Sequence, residues 1–278
     1  MPIMFNSLLE QFGYAPANVI LLRHQDKRAA RGRSPYELWR DNPVGFDLYQ
    51  SLQSFKNRSK LSRAPNWASF VATLDGATMF VGLYAVKYRG LLTKDIPQPH
   101  TDRIDSARSC DAYDLKTDER LADLAGRVFV KWGDGPRAWV QRAEKQDKAI
   151  IELRPKFQDD DFPGFLSFRE PLSKVERLPA AWIVALKLAT GVYLLTCPRT
   201  KEQYVGSACG NEGFWHRWMD YVVSGHGGNV ALKSREPSDY QVSILEVAGS
   251  AATPDDIRTM ESRWKEKLQS REMGLNKN

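Results

Sequence analysis

The chain is poor in cysteine and contains no long apolar run, and each lack excludes something. Only three of its 278 residues are cysteine: Cys110, Cys197 and Cys209. They form no CxxC pair and no Cys/His metal spacing, so they read as reduced thiols of a cytoplasmic protein. No stretch reaches the roughly 18 apolar residues of a membrane span, so no membrane partner is expected. Residues 1–6 carry no charged region ahead of a long apolar one, and no signal peptide is expected there. A large charge excess is missing too: 40 Lys and Arg against 34 Asp and Glu leave a net +6. That modest surplus suits a polyanionic partner without proving one.

What is present is enough to build cores. Hydrophobic residues make up 42% of the chain and tryptophan occurs eight times, which a disordered tail would not show. The length implies two domains. Charge is unevenly placed: residues 1–63 hold ten Lys or Arg against five acids, whereas from residue 185 onward the balance is twelve to eleven. The basic character therefore sits at the front.

In the front half, Ser34, Pro35 and Glu37 make a helix start with a cap, a first-turn proline and a capping-box glutamate. Phe46, Tyr49, Leu52 and Phe55 recur at three-residue spacing and predict a helix over 45–57, followed by a basic loop over 56–63. Two β-prone runs flank Asp75-Gly76, a strong hairpin signal. Residues 91–119 are polar and read as a long excursion. Strands resume near 126–133 and 149–153. Arg28, Arg31 and Arg33, with Lys56, Arg58 and Lys60, are candidates to track phosphates, weighed equally against a solvated face.

Residues 158–179 combine three consecutive aspartates with several prolines, but their phenylalanines argue for docking rather than a free linker. We expect domains over 1–165 and 186–278, joined by 166–185. A helix near 179–189 leads into two short runs, 191–193 and 204–206, each with a tyrosine and a glycine, separated by a polar turn. They predict a β-hairpin. An aromatic-rich helix carrying Arg217 and Tyr221 follows, then a strand over 240–248. Thr253, Pro254, Asp255 and Asp256 then start a last helix bearing Glu261, and Asn276 lies in the tail.

Taken without any family, two strand tyrosines, a helical arginine and one helical carboxylate suit phosphodiester hydrolysis with a single hard metal ion. A phenol can relay a proton if its pKa is lowered, and arginine can hold phosphate. The order adds more. Gly191-Val192-Tyr193, ten residues, Tyr204-Val205-Gly206, then Arg217, a strand, Glu261 and Asn276 resembles the GIY-YIG nuclease family over about the last third of the chain. Valines replace the isoleucines of the family's name.

The resemblance implies an α+β fold in which a three-stranded antiparallel sheet flanked by helices follows a β-rich front domain. It implies an endonuclease with Tyr193 as base or water positioner, Tyr204 placing phosphate or water, and Arg217 on the scissile phosphate. Tyr221 would lie on the same helix face, Glu261 would bind Mg²⁺ with Mn²⁺ able to substitute, and Asn276 would brace the site. DNA is the implied partner, a homodimer is one open assembly, and restriction, defence and repair are all open. Lys201 and His226 are further candidates to touch DNA, although a turn lysine is more often simply solvated. The neighbours of Glu261, Lys265 among them, read as solvated helix residues, and Trp215 and Trp218 as core. The runs 80–86 and 128–133 resemble PUA-like barrels that read unusual bases, which makes the front domain a targeting module. The competing readings are an inactive nucleic-acid-binding protein, or an RNA-directed protein acting through that barrel.

Overall fold

The computed structural model describes residues 2–25, 33–133, 138–225, 227 and 239–276. Arg28, Arg31 and His226 lie outside the described residues. The chain forms two compact units, Met1–Asp160 and Asp161–Asn278. The division comes ahead of the expected connecting segment 166–185. Its cause is aromatic: Phe162, Phe165 and Phe168 pack with Trp182 and Trp218 in the second unit's core, Phe168 stacking on Trp218 at 5.2 Å.

The first unit is built on a mixed sheet. Its helices are α1 (Phe5–Gln11), α2 (Pro35–Asp41), α3 (Pro43–Ser51) and α4 (Arg58–Leu61). Its strands are β1 (Val19–His24), β2 (Leu52–Gln53), β3 (Asn66–Ala72), β4 (Thr78–Leu91), β5 (Ile96–Pro97), β6 (Ile104–Asp105), β7 (Asp111–Thr117), β8 (Val128–Val130), β9 (Val140–Arg142) and β10 (Ile150–Leu153). The main path is β10-β8-β4-β3-β1-β9, with β7 joining β4 to β2, while β5 and β6 pair only with each other. β1 runs parallel to β3. Its unbroken apolar run Val19–Leu22 is buried throughout, as a strand covered on both faces requires. Phe5, Phe70 and Phe80 meet in the core with centroids 5.1–5.6 Å apart.

Local signals hold where the side chains satisfy them. Ser34 and Glu37 close the capping box on α2. In the β3–β4 turn Gly76 takes φ +89°, and the Asp75 carboxylate accepts from the Ala77 amide at 3.0 Å.

Three expectations are corrected. The helix expected over 45–57 stops at Ser51, because Leu52 and Gln53 pair with Ala112 and Asp111 of β7 and Phe55 faces solvent. The basic loop over 56–63 contains α4. The excursion over 91–119 contains β7, which alternates its few apolar residues too weakly to be read from sequence and is held by its register on β4.

The second unit holds β11 (Arg169–Pro171), α5 (Ala180–Leu188), β12 (Gly191–Thr196), β13 (Gln203–Ala208), α6 (Gly213–Ser224), β14 (Gln241–Val247) and α7 (Pro254–Lys267). Its sheet is antiparallel, ordered β11-β14-β12-β13. It is four-stranded rather than three-stranded, since the short β11, ending in a proline, adds to the edge of β14. β13 forms the opposite edge. Thr253 and Asp256 form the capping box of α7, with Pro254 in its first turn.

Candidate active site

The β12–β13 hairpin sets the site. Its register places Tyr193 opposite Gly206 and Leu195 opposite Tyr204, so both tyrosines project from one face, while Val192, Val205 and Ser207 project from the other. A Cβ on Gly206 would come within 2.5 Å of the Tyr193 hydroxyl oxygen and 2.9 Å of the Tyr204 ring. The glycine of the second run is therefore the space in which the Tyr193 phenol lies.

α6 brings the next two groups. The connection from Tyr204 is long, and it turns sharply through Glu212 and Gly213, both with φ near +50° to +60°. A Cβ on Gly213 would sit 2.0 Å from the Ala189 carbonyl oxygen, so only glycine lets the helix start this close to the chain leaving α5. Arg217 and Tyr221 then face Tyr193 from consecutive turns. Arg217 Nε donates to the Tyr193 hydroxyl at 3.2 Å, Nη2 to the Tyr221 hydroxyl at 3.4 Å, and Nη1 to the Gly227 carbonyl at 3.1 Å. The two phenol oxygens lie 2.9 Å apart. The Tyr204 ring meets the Tyr221 ring edge-on.

Burial decides the state of these phenols. Tyr193 has no exposed surface and Tyr221 almost none. Burial pushes the Tyr193 phenol above its ordinary value despite the Arg217 charge beside it, and burial with the neighbouring phenols pushes Tyr221 up as well. Both are neutral hydroxyls at physiological pH, so the lowered pKa that a standing phenolate base would need is not found here. Arg217 keeps about a third of its side chain exposed, and its ion-pair partner among the described residues, Asp220, is 3.8 Å away.

Glu261 and Asn276 reach β13 by other routes. Glu261, on α7, accepts from the Ser207 hydroxyl on one oxygen and from Lys265 Nζ at 2.7 Å on the other. It therefore stands on the Ser207 face of β13, and its partners are not the phenols. Lys265 is 4% exposed, not the solvated residue expected; its i,i+4 spacing to Glu261 was the sequence signal available for the pair. The Asn276 side chain is buried and bonds Val205 twice, Oδ1 accepting from the amide at 2.9 Å and Nδ2 donating to the carbonyl at 2.8 Å. It takes the place of a missing neighbouring strand on the edge of β13.

The other candidates have plainer placements. Lys201, at φ +65°, donates from Nζ to the Pro198 carbonyl at 2.7 Å and secures its own turn. Trp218 is fully buried core, and His216 is exposed. Arg33 pairs its amide with the His100 carbonyl, and Lys56 is exposed. Arg58 is committed to Asp111 by two hydrogen bonds, at 2.9 and 2.6 Å, and lies over the Tyr88 ring. Asp111 is fully buried, so this arginine is structural and not a free phosphate contact. Sequence reading missed Ser207 and the Gly227 carbonyl; a hydroxyl alternating with Gly206 on an edge strand was the signal for the first.

No family model matches the chain. A curated mouse (Mus musculus) protein, NADH dehydrogenase [ubiquinone] 1 alpha subcomplex subunit 9, mitochondrial, is 28% identical over 83 residues, which are 30% of this chain and 20% of that protein. The chain thus spans a fifth of that relative's length. Two solved structures are similar. A mutant of the catalytic domain of intron endonuclease I-TevI is 25% identical, covering 32% of this chain and 94% of its own, with a TM-score of 0.27. The catalytic domain of homing endonuclease I-TevI is 27% identical, covering 31% and 96%, with a TM-score of 0.26. None of these matches supports the PUA-like resemblance of the front unit.

Proposed function

We propose that the second unit is a metal-dependent endonuclease that hydrolyses DNA phosphodiester bonds, and that the first unit targets it in a restriction, defence or repair role. The observation that carries this reading is Arg217. Its guanidinium is held at three points by two neutral phenols and a carbonyl, is partly open to solvent, and has as its ion-pair partner among the described residues only the half-exposed Asp220, at a long 3.8 Å. A fixed planar cation whose one ion pair is long and solvent-screened suits the oxygens of a phosphodiester and the charge that grows on them during hydrolysis.

Tyr193 and Tyr221 then act as positioning residues that orient the guanidinium, and their hydroxyl pair can pass a proton between neutral groups. Tyr204, slightly exposed beside them, is the tyrosine able to meet water or phosphate directly. Glu261 would hold the metal. No group of three His, Cys, Asp or Glu suited to a metal exists among the described residues. A single carboxylate nevertheless fits Mg²⁺, which keeps most of its waters and takes further oxygens from phosphate. When bound, the ion supplies Lewis-acid stabilisation of phosphoryl oxygen and acidifies water.

The test is nicking of plasmid DNA by the full chain with Mg²⁺ or Mn²⁺. The wild type should cleave, and Arg217→Ala and Glu261→Gln should not, while both variants keep the wild-type circular dichroism spectrum. Absence of cleavage by the wild type with either metal would sink the enzyme reading. One observation favours the second reading, an inactive nucleic-acid-binding protein: Lys265 already sits on the Glu261 carboxylate. Binding without cleavage would establish that reading.

A further inference from the structure

The first unit carries a cavity that the catalytic reading does not use. It measures about 450 Å³ and lies between α4, Trp132 and Gly133 after β8, and β9 with the turn that follows. Trp132, Ile20 and Val140 are the large apolar residues of its lining. Its lining carries Lys60 and Arg63 from α4 and the turn after it, and Arg142 and Lys145 from β9 and the turn that follows. Lys60, Arg63 and Lys145 are exposed, and none is ion-paired among the described residues; Arg63 Nε only donates to the Ser59 carbonyl at 3.1 Å. Arg142 pairs with Glu144.

A fifth cation lies beneath. Lys148 is 3% exposed and spends its ammonium on neutral acceptors, the Trp132 carbonyl at 2.8 Å and Gln141 Oε1 at 2.5 Å, with Nζ 4.8 Å from the Trp132 ring centroid. Among the described residues, the acids nearby are Glu144, already paired, and Asp147, whose carboxylate accepts from the Asn6 and Lys148 amides. A concave surface with low-dielectric lining and several cations along it focuses positive potential into its space.

We propose that this cavity binds the phosphodiester backbone of DNA, with Lys60 and Arg63 from the α4 segment and Arg142 and Lys145 from the β9 segment meeting its phosphates. Several cations contributed by two elements, three of them without an ion pair among the described residues, match successive phosphates better than one small anion, and the apolar lining residues accommodate sugar and base edges. This assigns the targeting role to a defined place and moves it away from Arg58, which the fold consumes. The choice of DNA rests on the nuclease reading above.

The experiment measures duplex DNA binding by the full chain in EDTA, by fluorescence anisotropy across a KCl series, so that cleavage cannot interfere. Lys60→Gln/Lys145→Gln removes one cation from each of the two segments, and neither lysine side chain makes a hydrogen bond or ion pair within the described fold. The expected result is a loss of affinity of at least about tenfold at low salt, with the slope of log K on log[KCl] shallower by roughly 2, close to 0.9 per phosphate contact. The control, Lys94→Gln/Lys116→Gln, removes two exposed lysines from elsewhere on the same unit and should leave both quantities near wild type. Equal losses in the two variants, an unchanged slope in the first, or no binding by the wild type would overturn the proposal. Wild-type binding that follows this pattern without any cleavage in Mg²⁺ would remove the nuclease reading and leave the cavity's role standing.

Discussion

Asn276→Ala should weaken the second unit out of proportion to the size of the change. β13 is an edge strand, and Val205 on it is fully buried. Its amide and carbonyl are both satisfied by one side chain, at 2.9 and 2.8 Å. Alanine removes both bonds and leaves a buried donor and a buried acceptor with no replacement. A net hydrogen bond contributes about 1 kcal/mol, and an unsatisfied buried polar group costs about 1–3 kcal/mol. The loss should therefore be about 2–4 kcal/mol. The tail has little freedom to shift and compensate: a Cβ at Gly274 would lie 2.4 Å from the Gln203 carbonyl oxygen, which also accepts the Leu275 amide at 2.7 Å. Urea unfolding read together with hydrogen exchange at the Val205 amide would show it, since exchange reports this strand whatever the first unit does. Asn276→Asp keeps the acceptor but sets a carboxylate oxygen against the Val205 carbonyl, and it should be at least as damaging at neutral pH. A shift below about 0.5 kcal/mol for Asn276→Ala, with protection of Val205 retained, would refute the bracing argument.

Gly206→Ala should displace the Tyr193 phenol, cost about 1–3 kcal/mol as overpacking does, and lower cleavage without touching any charged group; urea unfolding and nicking assays read the two effects. Lys265→Met should tighten Mn²⁺ binding by the free protein by about tenfold or more, measured by titration calorimetry, because the buried ammonium and the metal compete for one Glu261 oxygen; equal affinities would show that they do not compete. His24 gives a pH dependence. Burial pushes it down to about 4, so between pH 6.5 and 4 the unfolded chain binds more protons than the folded one. Its stabilising contribution is then complete above pH 6.5, is lost as pH falls towards 4, and totals roughly 3 kcal/mol; His24→Gln should flatten that part of the stability profile in urea titrations.

How much was legible in advance depended on how local each interaction is. The Asp75-Gly76 hairpin, both capping boxes and the β12–β13 hairpin rest on residues a few positions apart, so they can be read off directly. Strand β7 and the early end of α3 could not be, because each is settled by pairing with a partner far along the chain. The fate of the charged residues was equally hidden. Arg58 and Lys60 are two positions apart in one basic run, yet the first is tied to buried Asp111 and the second lines an open cavity. Lys265 resembled its solvated neighbours on α7 until the helix was laid against β13.

The residue types and their order determined, without coordinates, that a tyrosine–glycine hairpin, an arginine helix and a glutamate helix follow one another, because local propensity and periodicity act over a few residues. Tertiary structure alone decided that Tyr193 is a buried, neutral hydroxyl holding Arg217 in place, since a phenol's pKa depends on desolvation and on the charges packed around it. It also decided that Glu261 arrives on the opposite face of β13 with a lysine on it, and that Asn276 completes the strand's edge. Which groups share a strand, and from which side, follows from sheet register and the pleat, which bring together residues 54 and 71 positions apart.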